Sequence, residues 1–89
     1  VPGYFEQMTN ALVRHDADLA MCAMLHSYAG WRPLEPGHDV GSWIARRSLV
    51  DRTPWNGDDF FYDAQYLSAL RANAGDRIAV VDRPLFVHN

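Results

Sequence analysis

Leu19-Ala20-Met21-Cys22-Ala23-Met24-Leu25 is the stretch on which the fold turns. Periodicity does not separate a buried strand from a buried helix segment in so short and nearly continuous an apolar run. Alanine and methionine favour a helix. The length of the run and its polar punctuation, Asp16-Ala17-Asp18 before it and His26 at its end, suit a central strand. Read as a strand, it makes the chain an α/β protein.

The flanking sequence supports that reading. Tyr4 to His15 is expected to be a helix, with Phe5, Met8 and Leu12 forming one apolar stripe at three- and four-residue spacing. Pro2 is tolerated near its start, where N–H groups are to spare. Tyr28 to Gly41 holds three glycines and two prolines and reads as a long loop, the kind that often serves as a binding loop or lid. Ser42 to Ala45 reads as extended and Arg47 to Asp51 as a brief helix, and the breaker-rich turn Thr53-Pro54-Trp55-Asn56-Gly57 follows. The main helix is expected from Asp58 to about Asn73, with Phe60, Ala64, Leu67, Leu70 and Ala74 along one side, ended by Gly75. Arg77 to Val81 is a β-branched strand, and Asp82-Arg83-Pro84 interrupts it before Leu85-Phe86-Val87-His88. Helices alternate with apolar strands, so the expected architecture is layered: a short mixed sheet with flanking helices. Three short strands make a thin sheet whose edge is expected to pair with something outside the chain.

Length and composition set limits. Eighty-nine residues make one domain at most, and 48% hydrophobic with 21% charged residues is ordinary for a globular protein. A net charge of -3 with interspersed signs leaves no footprint for nucleic acid or an anionic membrane. No apolar run reaches the ~20 residues of a membrane span. Cys22 is the only cysteine, which excludes an internal disulfide and a cysteine-based zinc site and accords with a cytoplasmic setting. The chain starts at Val1 without methionine and stops at Asn89 just after a strand-like run, so residues 1–89 are expected to be one fragment of a longer protein.

The chemistry-bearing stretch is Trp55-Asn56-Gly57-Asp58-Asp59-Phe60-Phe61-Tyr62-Asp63. Two carboxylates at a helix start face unpaired N–H groups and a partial positive charge, so N-capping alone accounts for them. The same placement keeps a carboxylate ionised and oriented, as a base accepting a hydroxyl proton requires. Trp55 adds a flat apolar face suited to a sugar ring. Asp63, one turn beyond Asp59, reads as an ordinary helix-face charge. Asp16-Ala17-Asp18 matches the D-x-D pattern of nucleotide-sugar enzymes, but it precedes the strand rather than following one, and it reads as a helix exit. His15-Asp16 and His38-Asp39 could supply metal ligands, although His38 sits in a Gly/Pro-rich loop. His26 reads as a satisfied, partly buried residue and Cys22 as inert core. Trp31 and Trp55 lie in loops, where aromatics often serve binding.

With these residues in place the chain resembles the C-terminal half of a GT-A fold glycosyltransferase, of the family-2-like inverting group. Pro2-Gly3-Tyr4-Phe5 with its helix resembles the helix after that family's metal-binding D-x-D, and Asp16-Ala17-Asp18-Leu19 resembles the turn into the next strand. Gly41-Ser42-Trp43-Ile44-Ala45-Arg46-Arg47-Ser48-Leu49 is similar to the segment behind the acceptor pocket. Trp55-Asn56-Gly57-Asp58-Asp59 is similar to the Gly-Glu-Asp or Gly-Asp-Asp motif, and Gly75-Asp76-Arg77-Ile78-Ala79-Val80-Val81 to the Gly-x-Arg-Ile strand. The resemblance implies a partial GT-A three-layer fold and transfer of a sugar from a nucleotide-diphosphate donor to a sugar or other hydroxyl acceptor, with inversion. It makes Asp59 the general base and places Asp58, Trp55, Trp43 and Arg46 at the acceptor. His88 falls where metal-dependent members hold Mn2+ or Mg2+ on the donor diphosphate.

The donor-binding half and its own D-x-D are absent, so the resemblance implies little turnover by the fragment alone. It also implies association with a donor-binding half or another copy, and leaves room for a membrane-associated parent. Two other readings stay open: a non-catalytic interaction or assembly module, and a small metal-dependent phosphohydrolase built on His15, Asp16, His38 and Asp39.

Overall fold

Leu19–His26 is a strand, β1, and everything else is laid against it. The computed structural model describes residues 3–27, 30–34, 36, 42–55 and 62–88, with the main chain alone at Tyr62, Asp63 and His88. Its elements in chain order are α1 (Tyr4–Arg14), β1, β2 (Pro33–Leu34), β3 (Trp43–Ala45), α2 (Arg47–Asp51), α3 (Tyr62–Ala74) and β4 (Ile78–His88). The result is a small mixed α/β arrangement with an open four-stranded sheet.

β4 runs parallel to β1 along its whole length, from Leu19 opposite Ile78 to His26 opposite His88. Because a strand has only two edges, β2 and β3 share the other one. β3 pairs antiparallel with Leu19–Met21, and β2 pairs antiparallel with Met24 and Leu25. The sheet is therefore three strands wide, with two short strands end to end on one side.

The apolar run is a strand, as read from sequence; its residues Leu19 to Met24 are buried, and successive side chains point opposite ways. Ala20 and Cys22 pack with Met8 and Leu12 of α1 and with Ala17, Ala79 and Leu85. Leu19 and Met21 pack with Leu49 of α2 and with Tyr66, Leu67, Leu70 and Ala74 of α3. Helices thus cover both faces, as alternation of helix and strand predicts. Alanine suits such a strand because α1 can approach closely.

Three expectations need correction. β4 does not break at Asp82-Arg83-Pro84 but continues through it. Its pairing skips from Val81 opposite Cys22 to Pro84 opposite Ala23, then to Phe86 opposite Met24, so the extra residues are accommodated as bulges. The bulges also turn the adjacent Leu85 and Phe86 both onto the α1-side core. Secondly, the long loop contains β2, making four strands rather than three. Thirdly, Phe5 does not join the stripe of Met8 and Leu12 but is 74% exposed. The main helix is described from Tyr62; its expected start at Asp58 and its stripe residue Phe60 lie outside the described residues.

The aligned starts of β1 and β4 are tied by charge. Asp18 is buried, and its carboxylate accepts two bonds from the Arg77 guanidinium, from Nε at 2.9 Å and from Nη2 at 3.2 Å. Arg52 Nη2 adds a third contact at 3.4 Å. Arg77 Nη1 also reaches Asp16 at 3.2 Å, and Asp16 takes a positive φ of 48° to turn the chain there. The N–H of Asp18 donates to the Arg77 carbonyl at 2.8 Å, fixing the parallel register from the main chain as well. The D-x-D pattern is thus an ion-pair hub at the helix exit.

Hydrogen bonds from Arg77, reinforced by Arg52, hold the Asp18 carboxyl below its ordinary range despite desolvation. A lowered folded-state pKa contributes stability that is present above the unfolded value, about 3.9, and is lost as pH falls through the folded value. Asp18→Asn should therefore cost about 2 kcal/mol at pH 7, discounted from a fully buried pair because Arg77 and Arg52 are half-exposed. Urea midpoints should show wild type losing its advantage over Asp18→Asn as pH falls from about 5 through the unfolded value of about 3.9 and below. An unchanged difference across that window would remove Asp18 as the titrating group.

Candidate functional site

The turn after α2 is held from three sides. Thr53 Oγ1 donates to the Leu49 carbonyl at 2.8 Å, Asn73 Nδ2 donates to Thr53 Oγ1 at 2.8 Å, and the Tyr66 hydroxyl donates to the Thr53 carbonyl at 2.6 Å. These bonds lock α2 to α3 and fix the point from which Pro54 and Trp55 depart. Trp55 meets the Tyr66 ring edge-on, with centroids 4.9 Å apart at 61°, yet remains 54% exposed. Trp43, on β3, also neighbours this tyrosine, with ring centroids 6.4 Å apart at 51°. The structure thus brings two of the nominated acceptor residues, Trp43 and Trp55, into one aromatic cluster through Tyr66.

The Trp43 indole Nε1 is buried and has no hydrogen-bond acceptor among the described residues. A buried donor left without a partner costs about 1–3 kcal/mol. Trp43 and Trp55 combine apolar faces with N–H groups, a suitable surface for a ring bearing hydroxyls.

Other nominated residues sit elsewhere. Arg46 begins α2 beside Asp18, and its own N–H donates to the Asp18 carbonyl at 2.8 Å. Its Nε donates to the Ala17 carbonyl at 2.7 Å and its Nη2 to the Leu12 carbonyl at 3.5 Å, so the guanidinium closes the exit of α1. It is not brought together with Trp43 and Trp55. Arg47 faces solvent in an exposed pair with Asp51 at 3.8 Å, which contributes little. Asp58 and Asp59 lie outside the described residues, as do His38 and Asp39. The main chain of Asp63 falls in α3 and that of His88 opposite His26 at the ends of the parallel strands.

No group of three or more His, Cys, Asp or Glu side chains that could hold a metal occurs among the described residues. Asp16 and Asp18 face guanidinium groups instead. Cys22 is buried, and desolvation raises its thiol above the ordinary value, which keeps it protonated as expected of core. Burial, with the Cys22 charge as a smaller contribution, likewise pushes the Tyr4 phenol up to about 12.

Two concavities accompany these features. The larger, about 700 Å3, is an apolar groove lined by Tyr4, Phe5, Trp43, Ile44, Leu85 and Phe86 among others. Of the nominated residues that are described, only Trp43 lines it. The smaller, about 310 Å3, lies between α1 and β4.

Sequence reasoning missed Tyr66, Thr53 and Asn73. Tyr66 reads as one more aromatic next to Leu67, and its role depends on a partner 13 residues earlier. The one available signal was a polar Thr53 and Asn73 flanking the two helix ends. Among the described residues no helix is long and apolar enough to cross a membrane. No protein-family model, curated protein or solved structure matches the chain, so its chemistry rests on its own residues.

Proposed function

We propose that the chain is the acceptor-binding, base-bearing half of an inverting GT-A glycosyltransferase acting in the cytoplasm. The observation that carries this reading is Trp55: an exposed indole held at fixed inclination by Tyr66, immediately before Gly57-Asp58-Asp59 in sequence. An aromatic face followed three and four residues later by two carboxylates offers a stacking surface and a proton acceptor, the two things a hydroxyl acceptor needs.

In this proposal the acceptor ring lies on Trp55 and Asp58 accepts a bond from one of its hydroxyls. Asp59 removes the proton from the attacking hydroxyl as its oxygen bonds to the anomeric carbon. The nucleoside diphosphate leaves from the opposite face, which inverts the centre. Among the described residues no group of side chains fits a divalent cation. The donor nucleotide would be bound by residues beyond this chain.

The test is sugar transfer by the polypeptide that carries this chain, with a panel of nucleotide-diphosphate sugars and hydroxyl acceptors. Trp55→Ala should raise the acceptor KM about tenfold, equivalent to about 1.4 kcal/mol of lost contact, and largely spare kcat. Unchanged acceptor KM would remove the aromatic platform from the site. Absence of transfer with every donor would remove the reading itself.

A further inference from the structure

We infer that the cleft between α1 and β4 is a binding site for a phosphate group, borne either by free inorganic phosphate or by a small phosphomonoester. Gln7, Asn10, Arg14 and His15 line it from α1, and Val81 and Arg83 from β4. Two guanidinium groups and an imidazole therefore meet two amides, and no carboxylate is among the lining residues. That is an unusual concentration in a chain of net charge -3. Among the described residues Arg77 and Arg52 pair with Asp18, Arg47 pairs with Asp51, and Arg46 donates to main-chain carbonyls. Arg14 and Arg83 have no carboxylate partner among the described residues, and both face this one space.

The cleft is also partly preorganised. Arg83 Nη1 donates to Gln7 Oε1 at 2.9 Å, which ties the guanidinium to α1 while a guanidinium carries further N–H donors. Arg83 belongs to the bulged part of β4, where the extra residues re-aim side chains relative to the ladder. Guanidinium is the planar, multiply donating group that matches phosphate oxygens, and asparagine and glutamine amides add neutral donors. A cavity of about 310 Å3 lies at the small end of ligand sites and admits a phosphate with a small substituent. The site is on the α1 face, away from the aromatic cluster, and does not depend on the glycosyltransferase reading.

Amide chemical shifts of the isotopically labelled 89-residue chain, titrated separately with inorganic phosphate and glycerol 1-phosphate, test this directly. The expected result is saturable shifts confined to Gln7, Asn10, Arg14, His15, Val81 and Arg83, with a Kd of about 1 mM for the better ligand. Tighter binding of glycerol 1-phosphate would identify the monoester as the ligand, and equal or tighter binding of inorganic phosphate the free anion. Arg83→Gln and Arg14→Gln, both surface changes that retain the native spectrum, should each weaken binding about tenfold. Unsaturable shifts spread over Arg47 and Arg71 as well, or undiminished binding by Arg83→Gln, would overturn the assignment.

Discussion

Asp59→Asn should reduce sugar transfer by about 10²–10⁴-fold, the range that a positioned general base contributes. Asparagine preserves shape and can still accept a hydrogen bond, but it takes up no proton from the attacking hydroxyl. The loss should appear in kcat at saturating acceptor, because the acceptor stays on Trp55 and Asp58. Asp58→Asn should behave differently, raising the acceptor KM more than it lowers kcat. Initial rates for the two variants, with thermal melting to confirm equal folding, separate base from binder. A rate within twofold of wild type for Asp59→Asn would mean that the acidic pair serves the helix start alone.

The second large effect concerns stability. Leu70→Ala should cost about 3 kcal/mol, within the range for emptying a fully buried leucine site. Leu70 has no exposed surface and packs in the cluster of Leu19, Met21, Leu49, Tyr66, Leu67 and Ala74, which joins α2 and α3 to the sheet. In a domain of this size, with total stability near the low end of about 5–15 kcal/mol, such a loss raises the unfolded fraction roughly a hundredfold, to about a few per cent. Val13→Ala, on the exposed side of α1, should change the urea midpoint little. Equal midpoints for Leu70→Ala and wild type would contradict the packing described.

What could be read from sequence followed local rules. α1 was marked by the spacing of Met8 and Leu12, β1 by an apolar run bounded by charge, and the end of α3 by Gly75, which takes a positive φ of 63°. What could not be read depended on partners far along the chain. Asp82-Arg83-Pro84 breaks a strand by composition, yet β1 supplies a neighbour that tolerates bulges there. Pro33-Leu34 is too short to register as a strand without Met24 and Leu25 beside it. Phe5 fits the apolar stripe by spacing, but nothing covers that end of α1 among the described residues. The site divided similarly. Trp55 was legible as a loop aromatic; Tyr66 as its support, and Arg46 as a clamp on the exit of α1, required the fold.

The pairing of β1 with β4 also has a consequence for how the molecule reaches its native state. Asp18 and Arg77 are separated by 59 residues, and the whole parallel ladder lies beyond them. Closing so long a loop loses entropy before any contact compensates, so sheet completion is a late event while α1 and α3 form locally. During ribosomal synthesis β1 emerges well before the strand that covers its longer edge. Until then Leu19 to Met24 present an apolar, unpaired strand to the surroundings, and that interval is when the nascent chain is most open to aggregation.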